Sequence, residues 1–167
     1  ANLVLSDIDV DALNDFVAQD LPDLADRVVT SRVDSAESDD ANHLVQLAVR
    51  QFGGIDFLVP SAGIYLAQPF VDMSDEQWHQ TISVNLDGVF YLCRRAVEHL
   101  QPNSSIVNLS SLAAHRGAFY NAHYSATKGA LISLTRSLAR ELAPSIRVNA
   151  VSPGVIDTPM ATDLIAR

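Results

Sequence analysis

The sequence predicts an α/β protein built on a doubly wound parallel sheet, and three observations carry that expectation. Short β-branched runs alternate along the chain with longer stretches of helical periodicity, a βαβα order. The strand-like runs are apolar at consecutive positions, so helices are expected on both faces of the sheet. The 167 residues, 48% hydrophobic and 19% charged, are enough to bury the core of one domain. Right-handed crossovers then wind the sheet in both directions. No internal repeat, low-complexity tract or linker divides the chain, so residues 1–167 are read as a single domain.

Each element has a local reason. Asn2–Ser6, with apolar Leu3–Leu5, reads as a strand ended by Ser6-Asp7, and Asp11–Gln19 as a helix carrying Leu13, Phe16 and Val17 on one side. Arg27–Val33 is the next strand. Ser38 is then expected to cap a helix in which Ala41, Leu44, Val45 and Ala48 recur at helical spacing. Gly53-Gly54 stops that helix before the apolar run Ile55–Val59. Ser74-Asp-Glu-Gln77 is a capping box that opens a long helical stretch through Trp78, Ile82 and Asn85. A further helix is expected over Leu86–Leu100, halted by Gln101-Pro102, with Cys93 packed on its apolar side. Ile106–Leu109 is a strand, Ala122–Leu142 a strongly periodic helix closed by Ala143-Pro144, and Ile146–Val151 the last strand.

Composition narrows the function. Eleven basic residues against 20 acidic ones give a formal charge of -9, which argues against a nucleic-acid partner. A single cysteine, Cys93, leaves no intrachain disulfide, Cys-based zinc site or iron–sulfur cluster, and fits a reducing compartment such as the cytoplasm. No apolar run approaches the ~18 residues needed to span a bilayer, so no membrane partner is expected. No secretory signal opens the chain, which reads as beginning in mid-fold.

Ligands of doubly wound sheets sit beyond the carboxyl ends of the strands. Tyr124-Ser-Ala-Thr-Lys128 holds a phenol and the only lysine of the chain four residues apart, on one helical face. An ammonium beside a phenol stabilises the phenolate and suits the phenol to general acid/base work. A surface pair on an amphipathic helix is the plain alternative. Ser110-Ser111 follows the strand Ile106–Leu109, where a hydroxyl can meet a substrate oxygen or merely cap a turn. His115 and His123 lie nearby, but no Gly-x-Ser-x-Gly elbow supports nucleophilic serine catalysis. His115, Phe119, Tyr120 and His123 either line a pocket or pack. His43, His79 and His99 lack metal-ligand spacing, so no metal is expected.

With these motifs in register, the chain resembles the short-chain dehydrogenase/reductases of the ordinary single-domain type over nearly its whole length. The Tyr124/Lys128 pair matches the family's Tyr-x-x-x-Lys, and Ser111, thirteen residues upstream of Tyr124, matches its catalytic serine. Asn85, within Val84-Asn-Leu-Asp-Gly-Val-Phe90, matches the fourth member of the catalytic set. Pro153-Gly-Val-Ile-Asp-Thr158 matches the segment that holds the nicotinamide carboxamide, which brings in Pro153, Gly154, Ile156 and Thr158. Asp34 and the following Ser35 match the adenine-contacting position, where the family usually has valine after the acid. The resemblance implies a Rossmann-type fold and hydride transfer between NAD(P) and a secondary alcohol or ketone. Tyr124 would be the general acid/base, Lys128 would support it and hold the ribose, Ser111 would orient the substrate oxygen, and Asn85 would hold a relay water.

The family's Asn-Asn-Ala-Gly reads Pro60-Ser-Ala-Gly63 here, leaving Ser61, Ala62 and Gly63 at the cofactor. The resemblance also places a first strand and its Gly-rich turn before Ala1, and a final strand after Arg167. Asp7 ends a strand where the family reads the adenine ribose, and Ile8 follows it where no cation awaits a 2′-phosphate. NAD(H) is therefore favoured, with NADP(H) as the alternative. The general similarity is greatest to 3-oxoacyl-acyl-carrier-protein reductases and their sugar- or diol-oxidising relatives. A noncatalytic binding protein of the same fold is the competing expectation. Ala130, Leu131, Leu134 and Leu138 spread over a wide arc of their helix, and relatives pair such helices, so a homodimer or homotetramer is expected.

Overall fold

In the computed structural model, which describes residues 1–156, strands and helices alternate in the expected order. They are β1 (Leu3–Asp7), α1 (Val10–Asp20), β2 (Val28–Arg32), α2 (Ser38–Phe52), β3 (Ile55–Leu58), α3 (Asp75–Ile82), α4 (Gly88–Ala96), β4 (Leu100–Leu109), α5 (Ala113–Arg116), α6 (Ala122–Leu142) and β5 (Arg147–Val151). All strand pairs are parallel, but they form two ladders, β1-β2 and β3-β4-β5, where one continuous sheet was expected. The order across both is β2-β1, then β3-β4-β5. Among the described residues this follows the doubly wound order 3-2-1-4-5-6 at five of its positions, with no pairing between β1 and β3. Helix α2 packs on both β1 and β3 and so spans the break.

The core lies on β4 and the helices around it. Val89, Cys93, Ile106, Leu131 and Val148 are buried together, and a second cluster joins Val45, Ile55 and Ala96 through α4. Leu134 and Leu138 pack against the first cluster. Both remain half-buried, so the chain's own core takes up the wide apolar arc of α6 only in part. Asn108 Nδ2 donates to Thr135 Oγ1 at 2.9 Å, and that hydroxyl donates to the Leu131 carbonyl at 2.7 Å. This buried polar chain satisfies its own donors and fixes α6 against β4. Cys93 is packed as expected, and burial pushes its thiol up to about 12, so it is unreactive. Among the described residues, no helix is long and apolar enough to cross a membrane.

Several boundaries differ from the sequence reading for physical reasons. Ser38 is not a cap: Glu37 holds that position, and the Ser38 hydroxyl accepts from Arg95 Nη2 across to α4. Helix α4 ends at Ala96, not Leu100. A 3-10 turn follows over Val97–His99, and β4 starts at Leu100 and runs through Pro102. Its pairing with β3 shifts register between Ile55 and Phe57, an irregularity of the kind that tolerates proline in a strand. The capping box at Ser74 and Gln77 forms with both hydrogen bonds. The long helix beyond it is interrupted by a π-helical turn at Ser83–Asp87.

That turn ends at a position only glycine can fill. A Cβ on Gly88 would lie 2.5 Å from the Ser35 carbonyl oxygen, so α4 and the loop after β2 touch backbone to backbone. Gly88→Ala is expected to destabilise the protein by about 1–3 kcal/mol, because fixed backbone must shift. Urea unfolding reads this directly, and an unchanged midpoint would refute the contact.

Candidate active site

The C-terminal end of β4 and the first half of α6 build the site together. Lys128 Nζ donates to the Leu109 carbonyl at 2.8 Å, and Ser110 Oγ donates to the Lys128 carbonyl at 2.8 Å. Two bonds therefore tie the strand end to the helix at one residue. Ser110 is buried and its proton is used, which separates it from Ser111. The Ser111 hydroxyl accepts from the Ala113 N–H at 3.1 Å and keeps its own proton to donate. It caps a turn and is still available to a substrate oxygen.

Tyr124 and Lys128 share a face, as their spacing requires. The ammonium lies over the phenol ring, 5.6 Å from its centroid, and so acts on it through space as a cation–π partner. Lys128 is only 7% exposed, and burial pulls its pKa down from 10.5 to about 8. A second ring packs on Tyr124: Tyr65 meets it edge to face, with centroids 4.7 Å apart.

Asn85 comes to the same place through the π turn. Its side chain accepts from the Ile64 N–H at 2.8 Å and donates to the Ile64 carbonyl at 2.9 Å, with no exposure. This clamp holds the loop after β3, so Asn85 positions Gly63 and Ile64 in addition to any contact with water. A Cβ on Gly63 would come within 3.3 Å of Asn85 Oδ1 and 3.9 Å of Lys128 Nζ. Gly63, Asn85, Lys128 and Tyr124 therefore converge, although they lie on three different segments. π turns recur at functional sites, but no spacing in the sequence announces this one.

A small cleft opens beyond the ends of β1, β2 and β3, lined in part by Ser35, Ser61, Ala62 and Gly88. Asp7 Oδ1 accepts from the Asp9 N–H at 2.9 Å, and Asp34 Oδ1 from the Ala36 N–H at 2.9 Å. Both acids thus also shape the turns that follow their strands. Pro153 receives the Leu112 N–H at 2.9 Å, which sets the segment after β5 beside Ser111. Gly154 and Ile156 are exposed there, and Thr158 lies outside the described residues. Of the residues between Ser111 and Tyr124, His123 is fully buried, while Phe119 is 80% exposed. His115 Nε2 lies 3.1 Å from Ser152 Oγ.

Fold and site define the class: a doubly wound α/β protein with a Tyr–Lys pair beyond its strand ends. The family profile described as enoyl-(acyl carrier protein) reductase matches residues 1–166. The 3-oxoacyl-acyl-carrier-protein reductase FabG of Thermotoga maritima is 38% identical over 98% of this chain and 68% of its own length. A crystal structure of a short-chain dehydrogenase/reductase from Brucella melitensis, described as glucose/ribitol dehydrogenase, superposes with a TM-score of 0.90. It is 60% identical over 94% of this chain and 66% of that one. A dehydrogenase/reductase from Sinorhizobium meliloti superposes equally well, TM-score 0.90, at 31% identity over 96% of this chain and 64% of that one. The chain belongs to the short-chain dehydrogenase/reductase family of oxidoreductases, which use nicotinamide cofactors. It spans about two thirds of the length of these relatives.

Proposed function

We propose that the full-length protein transfers hydride between NAD(H) and a secondary alcohol/ketone pair. The convergence of Tyr124 and Lys128 with the Asn85-clamped Gly63 carries this reading. The donor set also fits a dinucleotide. Acids end β1 and stand just after β2, an open cleft lies beyond the strand ends, and a side-chain-free backbone at Gly63 stands beside the Lys128 ammonium. Asp7 would hold the adenine ribose, Asp34 and Ser35 the adenine, and Ser61, Ala62 and Gly63 the middle of the cofactor. Pro153, Gly154, Ile156 and Thr158 would receive the carboxamide, and Lys128 and Tyr124 the nicotinamide ribose.

The bound nicotinamide supplies or accepts the hydride. The chain's own residues manage the proton. Ser111 donates a hydrogen bond to the substrate oxygen and orients it. Tyr124 gives its proton to that oxygen in reduction and takes one in oxidation. The Lys128 cation stabilises the phenolate left behind, within a setting where burial strengthens its field. Asn85 keeps the loop in place and stands next to Lys128, where a relay water would reach bulk solvent. The domain is read as one unit across residues 1–167. The buried, unreactive Cys93 fits a reducing cytoplasm. Self-association into a homodimer or homotetramer would use a seam of α4 and α6, where Phe90 is 46% exposed and Leu134 and Leu138 are half-buried.

A screen of the full-length protein against ketones and alcohols, followed by NADH and NADPH absorbance, tests the reading. Absence of any turnover would favour a noncatalytic binding protein of this fold. NAD(H) is expected to bind at least about tenfold tighter than NADP(H), because the Asp7 carboxylate repels a 2′-phosphate. Asp7→Ala should narrow or reverse that preference. Tighter NADP(H) binding by the wild type would leave Asp7 only its turn-forming bond to Asp9.

A further inference from the structure

We infer that His123 is a positioning residue: it holds the segment after β3 on the first turn of α6, so that the Tyr65 ring stays against Tyr124. The inference rests on the oxidoreductase reading and adds a residue to the machinery of that site. His123, Thr127 and Leu131 follow one another at four-residue spacing, and all three are wholly buried. His123 therefore begins the stripe by which α6 faces the interior. An apolar side chain would fill that place at less cost, because a polar ring taken from water destabilises the fold unless it is bonded. The imidazole has its hydrogen bond at the Leu66 backbone, which favours the charged ring, while burial outweighs it and lowers the pKa from 6.5. A bond that favours the charged ring is one in which the ring N–H donates and the carbonyl accepts. At pH 7 the ring is thus a neutral donor.

The partner of His123 lies in a segment that has no ladder of its own. Residues 59–69 belong to no helix or strand, so their path is set by bonds to other elements. Asn85 clamps both backbone groups of Ile64, and the Gln68 N–H donates to the Tyr120 carbonyl at 2.7 Å. Between these two points Tyr65 lies edge-on against Tyr124, with ring planes at 87°. The adjacency along both chains makes the coupling direct. His123 precedes Tyr124, and Leu66 follows Tyr65, so one side-chain bond ties together the backbone that carries both rings. The direction of the Tyr124 hydroxyl depends on where the Tyr65 ring is held. A misplacement of a reacting group by ~1 Å can cost about 10²-fold in rate. Loosening this bond should therefore appear in kcat and not in cofactor binding.

The test uses the full-length protein with NADH and a ketone that it turns over. His123→Met keeps the bulk of the ring without a donor. It is expected to lower kcat about tenfold, with KM for cofactor and ketone within about twofold. The better of His123→Asn and His123→Gln, whose amides stand near Nδ1 and Nε2, should recover most of that loss. Tyr65→Leu should slow kcat by a similar factor. The double variant should be no more than about twofold slower than Tyr65→Leu alone, because His123 acts through Tyr65. Hydrogen exchange reads the hold itself: in His123→Met the amides of residues 64–68 should exchange at least about tenfold faster, and those of Leu131–Leu138 should not. An unchanged kcat in His123→Met, equal losses in all three His123 variants, losses that multiply in the double variant, or unchanged exchange overturns the inference and leaves the oxidoreductase reading standing. Should His123→Met not fold, an unchanged kcat in Tyr65→Leu overturns it alone. A wild type that turns over no ketone or alcohol overturns the oxidoreductase reading, and exchange then still decides whether His123 holds the segment.

Discussion

Tyr124→Phe is expected to lower turnover of the full-length protein at least about a hundredfold while leaving cofactor affinity within about threefold. The phenol hydroxyl is needed only when the proton moves to or from the substrate oxygen. The ring is needed at all times, because Tyr65 packs edge-on against it and the Lys128 ammonium lies over its face. Phenylalanine keeps both contacts, so the variant should fold and bind as the wild type does. Cofactor fluorescence titration and steady-state rates separate the two effects. Retention of more than about a tenth of the wild-type rate would remove Tyr124 from the proton-transfer step.

Lys128→Met should reduce kcat/KM by about 10²–10³, the usual scale for removing one positioned electrostatic partner. The pH dependence distinguishes this from simple damage. Burial brings the wild-type lysine to about 8, so its cation is lost as pH climbs through that value. The reduction rate of the wild type should therefore fall above about pH 8, and this limb should be missing from Lys128→Met. Stability moves in the opposite sense. The folded pKa is depressed below the unfolded value of 10.5, so the cost of the buried charge is fully present below about 8 and is relieved as pH rises to 10.5. Between pH 7 and 10 the wild type should gain up to roughly 3 kcal/mol relative to Lys128→Met in chemical denaturation. Parallel pH profiles for the two proteins would show that Lys128 does not titrate in this window.

Much of this was legible in local chemistry. Helix α6 runs over Ala122–Leu142 as read, because twenty-one residues of sustained periodicity closed by Ala143-Pro144 leave little choice. The Ser74 capping box formed because all its partners lie within four residues. Ser38 offered the same local signal and was taken by Arg95, fifty-seven residues away, which no local rule registers. The strand Leu100–Leu109 likewise outran its apolar run, since pairing with β3 and β5 overrode Gln101-Pro102.

For the site the division is sharper. Residue type and spacing nominated the Tyr124/Lys128 pair and Ser110-Ser111, since acid/base chemistry on a helical face needs a phenol and an ammonium one turn apart, and the family resemblance singled out Ser111 and brought in Asn85. The tertiary structure decided how those side chains are used. Ser110 turns inward to the Lys128 carbonyl and Ser111 remains available, a choice set by the end of β4. Asn85 clamps Ile64 because a π turn rotates it inward, and Tyr65 reaches Tyr124 because that loop is held down. Leu134 and Leu138 are half-buried, each packing in part on the core around Ile106 and Leu131. The physical reason is common to all of these. Periodicity and capping act over a few residues and are written in order along the chain. Hydrogen-bond partners and burial are settled by contacts among distant segments, which exist only once the sheet has brought them together.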